Sequence, residues 1–212
     1  KKYWKEAGTP FGSTNEKAAA FSDCINLSIG DPDLITDKTI TEGAYHDALK
    51  GHTGYTNMYG DPELREEIRK FYKEEYDLDI KEDEVIVTAS GLIAMYSVLQ
   101  AILDFGDEVI IQAPFFTPYT SQVKMACGIP VELATYEEED FQINPSRLEM
   151  LINERTKAII INTPSNPSGS CLSKSTMEEL AEIAEKHDLI VIADDIYTSY
   201  RRISYRLCLY RI

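Results

Sequence analysis

Short apolar segments that alternate with segments of helical periodicity are the feature that most constrains how this chain can fold. Beyond residue 80 the apolar segments are EVIVTA, EVIIQ, AIIINT and LIVIAD, and helical patterns follow the first three. Strands that alternate with helices in this way are typical of a largely parallel sheet covered by helices. The sequence therefore predicts an α/β fold.

Helix boundaries can be placed at two positions along the chain. Asp61 can cap a helix in which Pro62 takes the first position, and Leu64 and Ile68 begin its apolar stripe. A second helix is predicted over 176–187, with a capping box made by Ser175 and Glu178. Residues 1 to about 45 show no such pattern and are predicted to be irregular.

The charge and the cysteine spacing restrict the class of protein. A net charge of -15 argues against partners with a phosphate backbone and against anionic membranes. No apolar run approaches the roughly 20 residues of a membrane span, and KKYWKEAGTP lacks the apolar core of a signal peptide, so we predict a cytoplasmic protein. The four cysteines are far apart, which predicts core thiols rather than disulfides or a zinc site, and no metal site is assigned.

Residues that follow the predicted strands are the candidates for a functional site, because α/β sheets bind ligands beyond the carboxyl ends of their strands. Four groups follow the strands: 90–92, 114–116, 162–169 and 194–197. The first is a Ser-Gly turn that opens a helix, where free N–H groups favour a phosphate. There is no G-x-G-x-x-G and no P-loop, so a phosphate bound here would belong to a smaller cofactor than a dinucleotide.

The other groups carry side chains suited to a planar ligand. Phe116 can lie against a ring, and Asn166 is held between two prolines. Asp194 ends a strongly apolar strand and needs a cationic or hydrogen-bonding partner, because an unpaired buried charge is costly. Tyr197 follows three residues later and could reach the same ligand.

The order of these motifs resembles the class I/II aminotransferase family, the fold type I enzymes that use pyridoxal phosphate. The motifs are G-D-P-D, G-Y-x-x-x-x-G-x-P-E-L-R, T-x-S-G-x-x-A, A-P-F-F-x-P-Y, N-x-P-x-N-P-S-G and A-D-D-I-Y, and they extend over nearly all of residues 25–200. The resemblance implies a three-layer sandwich with a mostly parallel mixed sheet. It also implies an arm and part of a smaller domain over 1–45, and an incomplete cofactor-binding large domain over 46–200.

The resemblance implies a role for each matching residue around the cofactor ring. Asp194 matches the aspartate that pairs with the protonated pyridine nitrogen and keeps the ring an electron sink. Asn166 and Tyr197 match the donors to the phenolic oxygen of the ring. Phe116 matches the aromatic residue that stacks on the pyridine face.

Further matches concern the phosphate and the substrate. Ser90, Gly91 and Leu92 match the turn whose backbone binds the phosphate. Tyr55 matches a tyrosine that reaches the phosphate of the neighbouring subunit, which implies a homodimer with shared sites. Gly30 matches a glycine whose backbone lies near the substrate carboxylate.

The lysine that binds the cofactor covalently in this family has no match here. It lies downstream of the D-x-x-Y strand, whereas no lysine follows Lys186 in this sequence. Lys174, in LSKS, imitates the motif but precedes that strand, so we interpret it as a fortuitous match. The last 12 residues contain four arginines, Arg201, Arg202, Arg206 and Arg211, and no lysine, and none of these stands where the family has its phosphate-binding or carboxylate-binding arginine.

These observations favour one function and leave two alternatives. The favoured function is a pyridoxal phosphate-dependent aminotransferase that moves an amino group between an L-amino acid and a 2-oxo acid, with aspartate and aromatic amino acids among the candidates. The tail over 201–212 is interpreted as a frame-shifted or vector-derived end rather than a basic functional arm. The chain is therefore expected to stop before the catalytic lysine. The alternatives are a non-catalytic binding module and a carbon–sulfur lyase of the same fold.

Overall fold

The computed structural model of the protein describes residues 17–200, apart from 26, 28, 29 and 31. The predicted tail over 201–212 and the first 16 residues of the predicted arm lie outside the described residues. In chain order the helices are α1 (Lys38–Leu49), α2 (Pro62–Tyr76), α3 (Gly91–Ile102), α4 (Pro118–Met125), α5 (Pro145–Leu151) and α6 (Lys174–His187). The strands are β1 (Glu108–Ala113), β2 (Ile129–Ala134), β3 (Thr156–Asn162) and β4 (Ile190–Asp194).

The four strands form one sheet in the order β2-β1-β3-β4, and every neighbouring pair is parallel. Parallel strands end at the same edge of a sheet, so their last residues become neighbours. Asn162 at the end of β3 lies opposite Asp194 at the end of β4. The sheet thereby brings together two post-strand segments that are about 30 residues apart in sequence.

Two apolar layers cover the sheet because successive side chains of a strand point to opposite faces. Ile159 and Ile161 of β3 pack in a buried cluster with Leu148 of α5 and Leu180 of α6. Ile160 packs on the other face, in a cluster that includes Leu99 of α3 and Val123 of α4. The predicted α/β three-layer sandwich is confirmed.

The segment EVIVTA, predicted to be a strand, is not one among the described residues. Val85 has an extended backbone, with φ -119° and ψ 123°, but 85–88 forms no ladder with a described strand. The backbone N–H of Val87 donates a hydrogen bond to the carbonyl of Tyr59 at 2.9 Å. An apolar β-rich sequence becomes a strand only where a neighbouring strand pairs with it.

Three elements were absent from the sequence-based prediction. Helix α1 lies partly inside the region predicted to be irregular, and it buries no residue among those that the structure describes. Strand β2, with the sequence IPVELA, contains a proline and a glutamate and therefore lacks a continuous apolar run. Helix α5 has only seven residues, which is too short for a clear periodicity.

The two predicted helix starts have different outcomes. Asp61 caps α2 as predicted, since its Oδ1 accepts from the backbone N of Glu63 at 2.9 Å and of Leu64 at 3.2 Å. The capping box predicted for α6 was wrong. The cap is Ser173, whose hydroxyl accepts from Thr176 N at 3.1 Å, and Ser175 lies inside the first turn. Serine is a favourable N-cap residue at both positions; only Ser175 has a glutamate three residues later, but the backbone places the cap at Ser173.

The motif G-x-P-E-L-R holds the chain that leads to α3. Arg65 is 5% exposed, and its guanidinium donates to the carbonyl of Val85 at 3.1 Å and to that of Glu82. Gly60 has φ +108°, and a Cβ built there would lie 2.5 Å from Cβ of Val87. The end of the motif therefore fixes the path of residues 82–87.

Gly60→Ala is expected to destabilise the fold by about 2 kcal/mol or more, because an L side chain at positive φ is strained and the added methyl group overlaps Val87. Gly54→Ala is the matched control, since a Cβ at Gly54 meets nothing within 4 Å. Urea unfolding followed by circular dichroism measures both. Equal unfolding midpoints for the two variants would contradict the close approach at Gly60.

The exposure of the cysteines and the length of the helices test the predictions about core thiols and membrane spans. Cys24, Cys127 and Cys171 are free and exposed, so the prediction that the cysteines fill the core was wrong for these three, and Cys208 lies outside the described residues. No helix in the described part of the chain is long and apolar enough to cross a membrane.

Candidate active site

A cleft of about 460 Å³ lies at the carboxyl edge of the sheet. This volume is in the range of small-molecule and cofactor sites. It is lined by residues from α3, α4 and the ends of β3 and β4, namely Ser90, Gly91, Leu92, Met95, Phe116, Tyr119, Gln122, Asn162, Asn166, Asp194, Ile196 and Tyr197. Apolar walls with a few convergent polar groups are typical of small-molecule and cofactor sites.

The carboxylate of Asp194 is held by two donors. Its Oδ2 accepts from the hydroxyl of Tyr119 at 2.6 Å, and its Oδ1 accepts from Ile196 N at 3.2 Å. Asn162 Nδ2 donates to the backbone carbonyl of Asp194 at 2.7 Å, which holds the end of β4 against the end of β3. The carboxylate is thus oriented at the cleft by contacts from two other elements.

Asn166 and Tyr197 meet on the same side of the cleft. The amide Nδ2 of Asn166 donates to the Tyr197 hydroxyl at 3.2 Å, and the backbone N of Asn166 donates to Oδ1 of Asn162 at 2.8 Å. Two side chains with hydrogen-bond donors at this separation can converge on one acceptor atom of a ligand.

The first turn of α3 forms another part of the cleft. Ser90 is the N-cap of the helix, and its hydroxyl accepts from Ile93 N at 3.3 Å. Thr88 donates to the carbonyl of Ser90 at 2.8 Å and fixes the approach to the turn. The N–H groups of a helix start and the positive end of its dipole favour an anionic group such as a phosphate.

Seven of the nine residues predicted for the site line this cleft: Ser90, Gly91, Leu92, Phe116, Asn166, Asp194 and Tyr197. Tyr55 and Gly30 do not line it. Tyr55 is fully exposed, and Gly30 is exposed with no atom within 4 Å of an added Cβ. Lys174 lies at the start of α6 with its side chain largely in solvent, where it pairs with Glu178 at 3.5 Å.

Two buried residues of α4 were missed by the sequence analysis. Tyr119 contacts Asp194, and Gln122 Nε2 donates to the carbonyl of Leu92 at 2.8 Å. Tyr119 is the last residue of A-P-F-F-x-P-Y, so the motif contained it without indicating its role. The spacing of three residues between Tyr119 and Gln122 was the available signal that both lie on one helix face.

Burial, together with the hydrogen bond to Asp194 and its negative charge, raises the pKa of Tyr119 far above its ordinary range. Because the folded state keeps the phenol neutral, its contribution to stability is complete below about pH 10, the ordinary pKa of tyrosine, and is lost as the pH rises above that value. We therefore expect the free energy of unfolding to fall more steeply above about pH 10 in the wild type than in Tyr119→Phe. Urea unfolding of both proteins between neutral pH and pH 11 measures this; parallel curves would contradict it.

A second concavity, of about 700 Å³, lies between α2 and residues 78–86. Its lining includes Ile68, Tyr72, Val85 and Ile86, and none of its lining residues belongs to a strand. It presents no group of donors comparable to that around Asp194. Among the described residues no cluster of three or more His, Cys, Asp or Glu could hold a metal ion.

The fold and the cleft define an α/β chain with a cofactor-sized site at the carboxyl edge of a parallel sheet. The family model for aminotransferase class I and II matches residues 22–202. The chain belongs to this family.

Relatives with established names agree with this assignment. The chain is 41% identical over 182 residues to an aspartate aminotransferase of Geobacillus stearothermophilus, and the match covers 86% of this chain and 46% of that protein. It is 39% identical over 175 residues to an aspartate/prephenate aminotransferase of Thermus thermophilus, covering 82% of this chain and 46% of the relative. The chain therefore spans about half the length of the curated relatives it matches.

Solved structures resemble the chain over nearly its whole length. An aspartate aminotransferase of Thermotoga maritima superposes with a TM-score of 0.93 at 32% identity, covering 99% of this chain and 57% of that one. The Thermus thermophilus aspartate aminotransferase with maleate gives a TM-score of 0.88 at 35% identity, covering 92% and 53%. The fold of this half is shared with these enzymes.

Proposed function

We propose that this chain supplies the cofactor-binding half of a pyridoxal phosphate-dependent aminotransferase. The observation that carries the proposal is the convergence of three groups in one cleft: the Asp194 carboxylate, the Asn166–Tyr197 pair and the first turn of α3. Their chemistry fits the three polar ends of pyridoxal phosphate, which are a ring nitrogen, a phenolic oxygen and a phosphate. The reaction proposed is transfer of an amino group between an L-amino acid and a 2-oxo acid.

Each residue has a distinct task in this proposal. Asp194 holds a proton on the ring nitrogen, and the hydrogen bond from Tyr119 orients its carboxylate. Asn166 and Tyr197 donate to the phenolic oxygen, and Phe116 packs against the ring face and excludes water from it. When bound, the cofactor supplies an electron sink for the electrons released at the α-carbon of the substrate.

The phosphate is assigned to the start of α3. The backbone of Ser90, Gly91 and Leu92 offers N–H groups there, and Gly91 leaves open space beside them, since a Cβ at this position would contact nothing within 4 Å. The turn is held in place by Thr88 on one side and by Gln122 on the other. An anion bound here needs no lysine contact to be stabilised.

Partners, substrate and location extend the proposal beyond the cleft. Aspartate is the first candidate substrate because the relatives cited above are named for it, and an aromatic aminotransferase of Pyrococcus horikoshii at 37% identity supports aromatic amino acids as well. We assign Tyr55 to the phosphate of a second subunit, which agrees with its exposure outside this cleft, and Gly30 to the substrate carboxylate. Three exposed free thiols are compatible with a reducing, cytoplasmic location.

A non-catalytic binding module is the second candidate. It is favoured by one observation: no lysine is among the residues that line the cleft in the described part of the chain. Lys174 points away from it, toward Glu178. The two candidates share the cofactor and differ in whether the chain retains it covalently and transfers amino groups.

Equilibrium dialysis of the 212-residue chain against pyridoxal phosphate tests the proposal. We expect one cofactor per chain, bound without a covalent link, so that borohydride reduction followed by denaturation releases it. We also expect no transamination of aspartate with 2-oxoglutarate by this chain alone, because no lysine is placed for the proton transfer at the α-carbon. Absence of binding would overturn the assignment of the cleft, and transamination that survives Lys174→Ala would overturn the account of the lysine.

A further inference from the structure

One face of helix α4 contacts both ends of the cleft. Tyr119 and Gln122 are three residues apart, so their side chains lie on the same face of the helix. They are 3% and 7% exposed, respectively. One reaches the end of β4 and the other reaches the first turn of α3, and these two elements do not follow each other in the chain.

The contact of Tyr119 fixes the end of the cleft assigned to the ring nitrogen. Its hydroxyl donates to Asp194 Oδ2 at 2.6 Å, and its ring lies edge-on to Phe116 with centroids 5.6 Å apart and planes at 80°. The carboxylate and the aromatic residue assigned to the ring face are therefore both held by the same tyrosine.

The contact of Gln122 fixes the end assigned to the phosphate. Its Nε2 donates to the carbonyl of Leu92 at 2.8 Å, while its Oε1 is buried and has no hydrogen-bond partner among the described residues. A buried acceptor without a donor costs free energy, about 1–3 kcal/mol. Its position in the lining of the cleft indicates that the donor arrives with the ligand or with a water bound beside it.

We propose that helix α4 sets the distance between the two ends of the cofactor site, with Tyr119 and Gln122 as its positioning residues. This inference rests on the proposed function, because it concerns the same cofactor. Neither residue needs to touch the reacting atoms. Each acts through a group that does contact the cofactor: Tyr119 through Asp194, and Gln122 through the turn that begins α3.

The test is a comparison of three ligands in equilibrium dialysis of the 212-residue chain. The ligands are pyridoxal phosphate, pyridoxal, which lacks the phosphate, and 1-deazapyridoxal phosphate, in which carbon replaces the ring nitrogen. Tyr119→Phe is expected to lower the affinity for pyridoxal phosphate about 10-fold and the affinity for the deaza compound less than about 2-fold. Only pyridoxal phosphate has the ring nitrogen that pairs with Asp194 in this proposal. Gln122→Met is expected to lower the affinity for both phosphorylated ligands about 5-fold and to leave the affinity for pyridoxal unchanged.

The double variant distinguishes a common spacing from two independent contacts. If α4 fixes one distance, removal of either contact releases it, and the double variant loses less than the product of the single losses. The inference would be overturned if the affinity loss of the double variant equals the product of the two single losses to within about 2-fold. It would also be overturned if a variant lowers the affinity for all three ligands equally, since that indicates general damage to the fold.

Gln112→Met is the matched control for the glutamine. Gln112 is also buried, at 5% exposed, and donates from Nε2 to the carbonyl of Phe141 at 3.1 Å. Its Oε1 has no partner among the described residues, but Gln112 lies in β1 outside the cleft. It should leave all three affinities unchanged; a loss equal to that of Gln122→Met would overturn the inference. Urea midpoints identify a variant that fails to fold, and Gln122→Leu then replaces Gln122→Met.

The outcomes also separate the inference from the function on which it rests. If the wild type binds none of the ligands, the proposed function is overturned and the inference with it. If the wild type binds pyridoxal phosphate and both single variants bind it equally well, only the role of α4 is overturned.

Discussion

Asp194→Asn is expected to weaken the binding of pyridoxal phosphate by this chain about 10- to 100-fold. The substitution keeps the size and the hydrogen-bonding shape of the side chain but removes the negative charge opposite the ring nitrogen. A hydrogen bond to a charged group contributes about 1.5–3 kcal/mol, and each 1.4 kcal/mol is a factor of ten in affinity. The carboxylate is half-buried and already oriented by Tyr119 and Ile196, so little of this energy is spent on ordering it.

Asp188→Asn is the control for this substitution. The same change from aspartate to asparagine is made here at an exposed position outside the cleft. Asp188 is the C-cap of α6 and has φ 53°, a conformation that asparagine also adopts. Equilibrium dialysis should show unchanged affinity for this variant. Equal affinities of Asp194→Asn and the wild type would remove Asp194 from the site, whatever the outcome for the rest of the cleft.

Ile160→Ala is expected to lower the free energy of unfolding by about 3–4 kcal/mol. Ile160 is 1% exposed in β3, between Ile111 of β1 and Ile192 of β4, and packs under α3 and α4. Truncation of a buried isoleucine removes its transfer free energy and leaves a cavity that the two helices cannot close. Since domains are stable by only about 5–15 kcal/mol, much of the protein should unfold at moderate urea concentration.

Two further variants distinguish a layered core from a general effect of strand mutations. Ile161→Ala should lower the free energy of unfolding by about the same amount, because Ile161 is also 1% exposed. It lies in the other layer, under α5 and α6. Ile129→Ala should cost less than about 1 kcal/mol, since Ile129 begins β2 and is 42% exposed. A large loss for Ile129→Ala, or a small one for either buried isoleucine, would contradict the packing described above.

Most of the residues proposed from the sequence for the site lie close together, whereas several elements around them differ from the sequence-based prediction. Seven of the nine predicted site residues line one cleft. Four of these, Phe116, Asn166, Asp194 and Tyr197, lie at or after the ends of parallel strands, which share one edge of the sheet, and the other three are at the start of α3. In contrast, 85–88 has the composition of a strand and pairs with none that is described, and β2 pairs although it contains Pro130 and Glu132. Pairing depends on which segment lies alongside, and the composition of one segment does not contain that information.

The sequence by itself determined the α/β class, the start of α2 and most of the polar residues that line the cleft. These follow from local patterns: apolar runs, a capping aspartate before a proline, and short motifs with restricted spacing. Only the tertiary structure decided that Tyr119 holds a carboxylate 75 residues away and that Gln122 holds a carbonyl 30 residues away. Such contacts form when α4 packs on the sheet, and partners so distant in sequence leave no periodic signal in the chain.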